Sequence, residues 1–163
     1  MNKAAKHVQS IGVHDMWETP GGLLKKFCNE TNLEIPKLDV CATNQSKKCL
    51  SYFGPDHYDY SRTDAFKNDW DRNFFCNPPY SEVDKWLRYA REQCNRHLVI
   101  GICLVYAKTD TRWWSANVSE CGDFVTPYFQ KGRIRFWKNG TPGPSAAPYG
   151  SAWLVVNPFK III

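Results

Sequence analysis

The stretch Phe74-Phe75-Cys76-Asn77-Pro78-Pro79-Tyr80-Ser81 decides the reading of this chain. Three apolar residues read as a buried strand. Two prolines in succession then withhold two backbone donors, so strand pairing has to stop at Asn77. Ser81 is placed to cap a following helix. In that helix Val83, Trp86, Leu87 and Ala90 mark an inward stripe, with Arg88 and Arg91 off it. Residues 98–106 hold eight apolar residues and one glycine, the pattern of a central strand covered on both faces. Strand, helix and strand in alternation predict an α/β fold with an open, mostly parallel sheet. Ligands of such sheets sit beyond the carboxyl ends of the strands, and both Asp39 and Asn77 fall at or near such ends, so they are expected to face one crevice.

Working outward, Thr19-Pro20 predicts a helix start, with Thr19 as N-cap and Pro20 in the first helical position. Leu23, Leu24, Phe27 and Cys28 supply one apolar face. Residues 38–42 read as a short buried strand carrying one acid, Asp39. Residues 43–72 are polar and irregular, with a short helix expected over 44–53. Past a polar loop containing Trp113-Trp114, strands are expected near 123–128, 133–137 and 152–156. The last of these have no helices between them and predict an antiparallel C-terminal hairpin. Residues 140–150 form a loop by their Gly and Pro content. Residues 1–14 read as an arm, leaving 15–163 as one domain.

Composition excludes several classes. The chain has 163 residues, 43% apolar and 15% aromatic, with seven Trp, so it is neither disordered nor collagen-like. Seven Cys, none spaced C-x-x-C, fit small core residues in a reducing cytoplasm better than disulfides or a metal site. No signal-peptide core and no membrane-length apolar run is present. Residues 1–123 hold sixteen basic and sixteen acidic side chains. The whole net charge of +5 therefore belongs to the last forty residues, through Lys131, Arg133, Arg135, Lys138 and Lys160, with no acid among them. That hints at a polyanion-facing end.

The chemistry that needs Asn77-Pro78-Pro79-Tyr80 is methylation of a planar exocyclic amine. The lone pair of such a nitrogen is delocalised into the ring, so it is a weak nucleophile. A carboxamide oxygen and a backbone carbonyl can each accept one of its two N–H bonds, favouring a more tetrahedral nitrogen. Pro78 presents its carbonyl rigidly because its φ is locked. An aromatic ring at the fourth position can stack on the base and stabilise a nearby sulfonium. Rate then comes mainly from alignment of nitrogen, methyl and sulfur. A base in duplex DNA must first leave the stack.

The ordered set Trp17-Glu-Thr-Pro20, Leu-Asp39-Val-Cys-Ala42, Thr-Asp64-Ala-Phe with Trp70, Asn77-Pro-Pro-Tyr-Ser81, Asp110-Thr-Arg-Trp-Trp114 and Gly132-Arg-Ile-Arg-Phe136 resembles the phage-encoded Dam-type DNA N-6-adenine methyltransferases. The resemblance runs over residues 14–158. It implies a Rossmann-like fold that uses S-adenosyl-L-methionine, DNA as partner, no metal and no membrane. It places Trp17, Thr19 and Pro20 on the methionine part of the cofactor, and Asp39 and Ala42 on its ammonium or ribose side. Asp64 would bind its adenine, with Ala65 and Phe66 beside the ring. Asn77, Pro78 and Tyr80 take the catalytic roles, and Pro79 shapes the loop. The wider class has a Gly-rich loop after the first strand; Cys41-Ala42-Thr43-Asn44 stands here instead. Asp56 and Asp59 are both candidates for the ribose. A phage source would put the protein in the bacterial host cytoplasm, with shielding of phage DNA from restriction as its purpose.

The spacers leave no room for a separate target-recognition domain, so DNA contacts are expected from loops at the strand ends. Lys108, Arg112, Arg133, Arg135 and Lys138 are the candidates, through phosphate or guanine. The tetrapeptide alone also fits methylation of RNA or of protein glutamine. A non-catalytic nucleic-acid-binding module of the same fold is the remaining alternative.

Overall fold

A computed structural model describes residues 17–161. The expected arm at 1–14 lies outside the described residues. Helix α1 (Leu23–Thr31) leads to β1 (Leu38–Asp39) and β2 (Ser51–Tyr52). Then come β3 (Phe74–Cys76), α2 (Val83–His97), β4 (Gly101–Tyr106), α3 (Arg112–Asn117) and β5 (Val125–Phe129). The chain ends through β6 (Trp137–Lys138), β7 (Thr141–Pro142) and β8 (Ser151–Val156). Six strands form one sheet in the order β2-β1-β3-β4-β8-β5. The pairs β1–β2, β1–β3 and β3–β4 are parallel, and β8 runs antiparallel to both β4 and β5.

The side-chain period of two sorts the central strands onto two faces. Phe75, Ile102, Leu104, Trp153 and Val155 pack toward Leu24, Phe27 and Cys28 of α1. Phe74, Cys76, Cys103, Val105 and Leu154 pack toward Trp86, Leu87, Ala90 and Cys94 of α2. Phe27 stacks on Trp153 with ring centroids 4.5 Å apart. Trp70, fully buried, donates its indole N–H to the Ala65 carbonyl, while its backbone N–H reaches Gln93 Oε1 at 2.9 Å. The polar segment before β3 is thereby tied to α2.

The structure corrects several boundaries. Helix α1 is capped by Gly22 at φ 79°, not by Thr19, and starts after Pro20. Residues 44–53 hold turns and the edge strand β2 in place of a helix. Helix α2 is entered through a 3-10 turn at Tyr80–Glu82, not at a Ser81 cap. Leu98 is the left-handed C-cap of α2 (φ 52°), so β4 begins only at Gly101. Residues 133–136 are irregular, although burial alternates along them. The expected C-terminal hairpin is two features. β5 and β8 pair in the main sheet, and β6–β7 forms a separate antiparallel hairpin between them in sequence. Asn139 and Gly140 turn that hairpin with φ of 51° and 75°, a pair of values that Asn-Gly adopts most readily.

Among the described residues no helix is long and apolar enough to cross a membrane. Nor does any group of His, Cys, Asp and Glu among them offer a metal site.

The loops after β1 and β2 touch through their backbones. Ala42 N–H donates to the Phe53 carbonyl at 3.1 Å. A Cβ on Gly54 would lie 1.7 Å from the Ala42 carbonyl oxygen, so no side chain fits there. Gly54→Ala is expected to lower stability by about 1–3 kcal/mol, the usual cost of overpacking. Urea denaturation of the two proteins measures it.

Candidate active site

A cavity of about 650 Å³ opens beyond the carboxyl ends of β1, β2 and β3. Its walls come from Trp17 and Glu18, the loop at 40–46, the segment 53–67, Asn77 and Pro79, the start of α2, and the tip of the β6–β7 hairpin. The N-terminal segment reaches the hairpin by strand-like pairing. Glu18 N–H donates to the Trp137 carbonyl at 2.8 Å, and Trp137 N–H donates to the Glu18 carbonyl at 2.9 Å. Both Glu18 carboxylate oxygens accept from the Gly140 N–H at 3.3 Å.

Asn77 sits where this wall meets the end of β3. Its Nδ2 donates to the Trp17 carbonyl at 3.0 Å. A carbonyl can only accept, so the contact fixes the amide orientation and keeps Oδ1 for a donor. Pro78 and Pro79 are buried. The Tyr80 ring leaves the cavity and stacks on Tyr106 at 3.8 Å, with an interplanar angle of 13°. Tyr149 leans on Tyr106 at 5.3 Å, and the Lys108 ammonium lies 4.1 Å over the Tyr149 ring. Asn77 thus separates a cavity from an aromatic wall. Burial pushes the Tyr106 phenol above its ordinary range, with a hydrogen bond involving Tyr80 opposing.

Of the residues expected at a cofactor, Trp17, Ala42, Asp64 and Ala65 line the cavity, as do the motif residues Asn77 and Pro79. Asp64 also caps the 3-10 turn Ala65–Lys67, accepting from the Phe66 N–H at 3.0 Å. Thr19, Pro20 and Asp39 do not line it. Thr19 is buried, and its hydroxyl has no partner among the described residues. Asp39 is 2% exposed and accepts from the Lys48 N–H at 2.9 Å and the Cys41 N–H at 3.3 Å, bracing the loop that forms one cavity wall. Neither ribose candidate lines the cavity. Asp56 accepts from the Asn44 N–H, and Asp59 caps the turn at Tyr60–Arg62.

The basic residues separate in the same way. Arg133 donates to the Ala147 and Pro148 carbonyls. Arg135 donates to Gly143 O at 2.6 Å and Pro144 O at 3.3 Å. Together they clip the loop 143–148 to the rest of the molecule. Lys138 lines the cavity. Arg112 is exposed at the start of α3, and Lys108 flanks Tyr149. Trp114 is core at 4% exposure. Sequence reasoning missed Glu18, Glu82 and Lys85 as lining residues. Glu82 and Lys85 were within reach, being one helical turn apart directly after the Asn-Pro-Pro-Tyr turn.

The sequence profile of the DNA N-6-adenine-methyltransferase (Dam) family matches residues 7–161, so the chain belongs to that family. A protein of Escherichia phage T1 named DNA N-6-adenine-methyltransferase is 25% identical over 115 residues, which is 69% of this chain and 44% of that protein. The match spans less than half the length of that relative.

Asp39 carries a pH signature. Burial raises its carboxyl from 3.8 to about 6, outweighing the two backbone hydrogen bonds that favour the charged form. The folded state therefore binds this proton more tightly than the unfolded chain does. The corresponding stability is fully present below about pH 4 and is lost as pH rises through about 6. Asp39→Asn is expected to remove a change on the order of 2–3 kcal/mol between pH 4 and 7. Urea unfolding of both proteins across that range tests it; parallel pH profiles would count against the buried carboxyl as its source.

Proposed function

We propose that this chain transfers a methyl group from S-adenosyl-L-methionine to the exocyclic amine of adenine in DNA, on a Rossmann-like sheet. The observation that carries the reading is Asn77, its carboxamide held by the Trp17 carbonyl at the junction of cavity and aromatic wall. Membership of the family supports adenine in DNA as the substrate.

The cavity suits the cofactor in size and chemistry. Its volume lies in the range of small-ligand sites. Trp17, Phe53, Phe66 and Trp86 offer apolar faces to an adenine or a methylene chain, and Glu18, Asp64 and Glu82 offer negative charge to a cation. When bound, the cofactor supplies an electrophilic methyl group on a sulfonium. Asn77 Oδ1 and the Pro78 carbonyl would hold the target amine by its two N–H bonds. Tyr80, backed by Tyr106, would stack on a base turned out of the duplex. The chain's contribution is alignment and exclusion of water, with no general base of unusual strength required.

Of the basic residues assigned to DNA, Lys108 and Arg112 have no carboxylate partner among the described residues, and Lys108 lies over the Tyr149 ring of this aromatic side. Arg133 and Arg135 would act by holding the 143–148 loop. Such an interface, built on loops, predicts a short or relaxed recognition sequence.

Labelled cofactor offered with DNA, RNA and protein separately tests the assignment. Label in adenine of DNA is expected; label only in RNA or in glutamine would overturn it. Asn77→Ala should lower the rate by about 10²-fold or more while cofactor binding survives. If no methyl is transferred by the wild type and DNA is still bound, the chain is a binding module. In DNA titrations, Lys108→Ala with Arg112→Ala should reduce the slope of log K against log salt by up to about 0.9 per residue. Arg133→Ala with Arg135→Ala should weaken binding and leave that slope unchanged.

A further inference from the structure

Three lysines line the cavity, and two are matched within its wall. Lys67 Nζ lies 3.6 Å from Asp64 Oδ2. Lys85 Nζ lies 4.0 Å from Glu82 Oε1 and 4.1 Å over the Phe66 ring. Lys138 is the exception: among the described residues no carboxylate pairs with its ammonium. The nearby Glu18 carboxylate is engaged by the Gly140 N–H.

Its position is also specific. The Lys138 ammonium lies 5.9 Å from the Trp17 ring centroid, and the Trp17 carbonyl is the group that orients Asn77. The unmatched cation therefore lies beside the side chain of the residue whose carbonyl holds Asn77. The tight Asn139-Gly140 turn and the pairing of Trp137 with Glu18 hold the backbone of this lysine in place.

S-adenosylmethionine carries one anionic group, the α-carboxylate of its methionine part, close to the reacting sulfonium. A carboxylate leaving water needs a charged donor to offset its desolvation. We propose that Lys138 binds this carboxylate and so sets where the methionine end lies relative to Asn77. The proposal rests on the cavity being the cofactor site. It moves Lys138 from the DNA surface to cofactor binding.

Calorimetry with two probes tests it on the full chain. S-adenosylhomocysteine keeps the amino-acid group; 5′-methylthioadenosine keeps the adenosine and sulfur but lacks that group. Lys138→Ala is expected to weaken S-adenosylhomocysteine by about tenfold or more. It should leave the affinity for methylthioadenosine within about twofold, because no charge-assisted bond to that probe is lost. Lys138→Arg should retain most of the S-adenosylhomocysteine affinity. Equal loss for both probes would make Lys138 a support of the hairpin and overturn the proposal. No loss for either would overturn it too, and a reduced salt slope for DNA would then assign the residue to phosphate. Wild-type protein that binds neither probe would remove the cofactor reading itself, and the Lys138 role with it.

Discussion

Two consecutive residues without a backbone N–H, placed at the end of a buried strand, set the geometry of everything around them. Pro78 and Pro79 cannot extend the pairing of β3 with β1 and β4, so the chain must leave the sheet at Asn77. It leaves between two neighbours whose ends are already fixed. On one side the β1 and β2 loops meet backbone to backbone at Ala42 and Gly54. On the other, β4 delivers Tyr106 beneath Tyr80. Asn77 is then oriented by a carbonyl sixty residues earlier in the chain. The side chain that carries the proposed chemistry is thus positioned by strand ends and one distant carbonyl, and its own loop contributes little beyond stopping the strand.

Charge is distributed along the chain more simply than in space. The excess of basic residues in the last forty positions suggested a single surface for a polyanion. In the folded protein those residues divide. Arg133 and Arg135 satisfy carbonyls of a Gly- and Pro-rich loop that cannot bond itself into a sheet. Lys138 lines the cavity, and Lys160 reaches Thr126. A guanidinium offers several donors in a fixed fork, which makes arginine well suited to gathering the carbonyls of an irregular loop.

The long central elements were legible because burial on both faces or along one stripe leaves a pattern over many residues. β4, β8, α1 and α2 announce themselves in this way, and the Asn77 turn does so through its prolines. Two-residue strands such as β1 and β2 are too short for a period to show. They exist because neighbouring backbones accept and donate to them, as at Phe53 N–H and Asp39 O. Leu98 is apolar and adjoins a strand, yet it is a left-handed cap with 61% exposure, a choice made by the end of α2. The β6–β7 hairpin had a readable cue in Asn139-Gly140, hidden inside a stretch whose composition reads as loop. Of the candidate site, Trp17, Ala42, Asp64 and Asn77 could be named in advance. The partners of Asp39, Arg133 and Arg135 could not, since each is a backbone group brought near by the fold.

The pairing of Glu18 with Trp137 has a consequence for how the protein is made. The cavity has walls from residues 17–18 and 138–139, and the pairing that closes it joins the segment at Glu18 to a hairpin finished only at Thr141–Pro142. A chain emerging from the ribosome exposes the Asn77 turn long before that hairpin exists. Until residues 137–142 have been synthesised, Glu18 has no hairpin to pair with and the cavity lacks one side. A nascent chain stalled before that hairpin would present the Asn77 motif without this wall of the cavity.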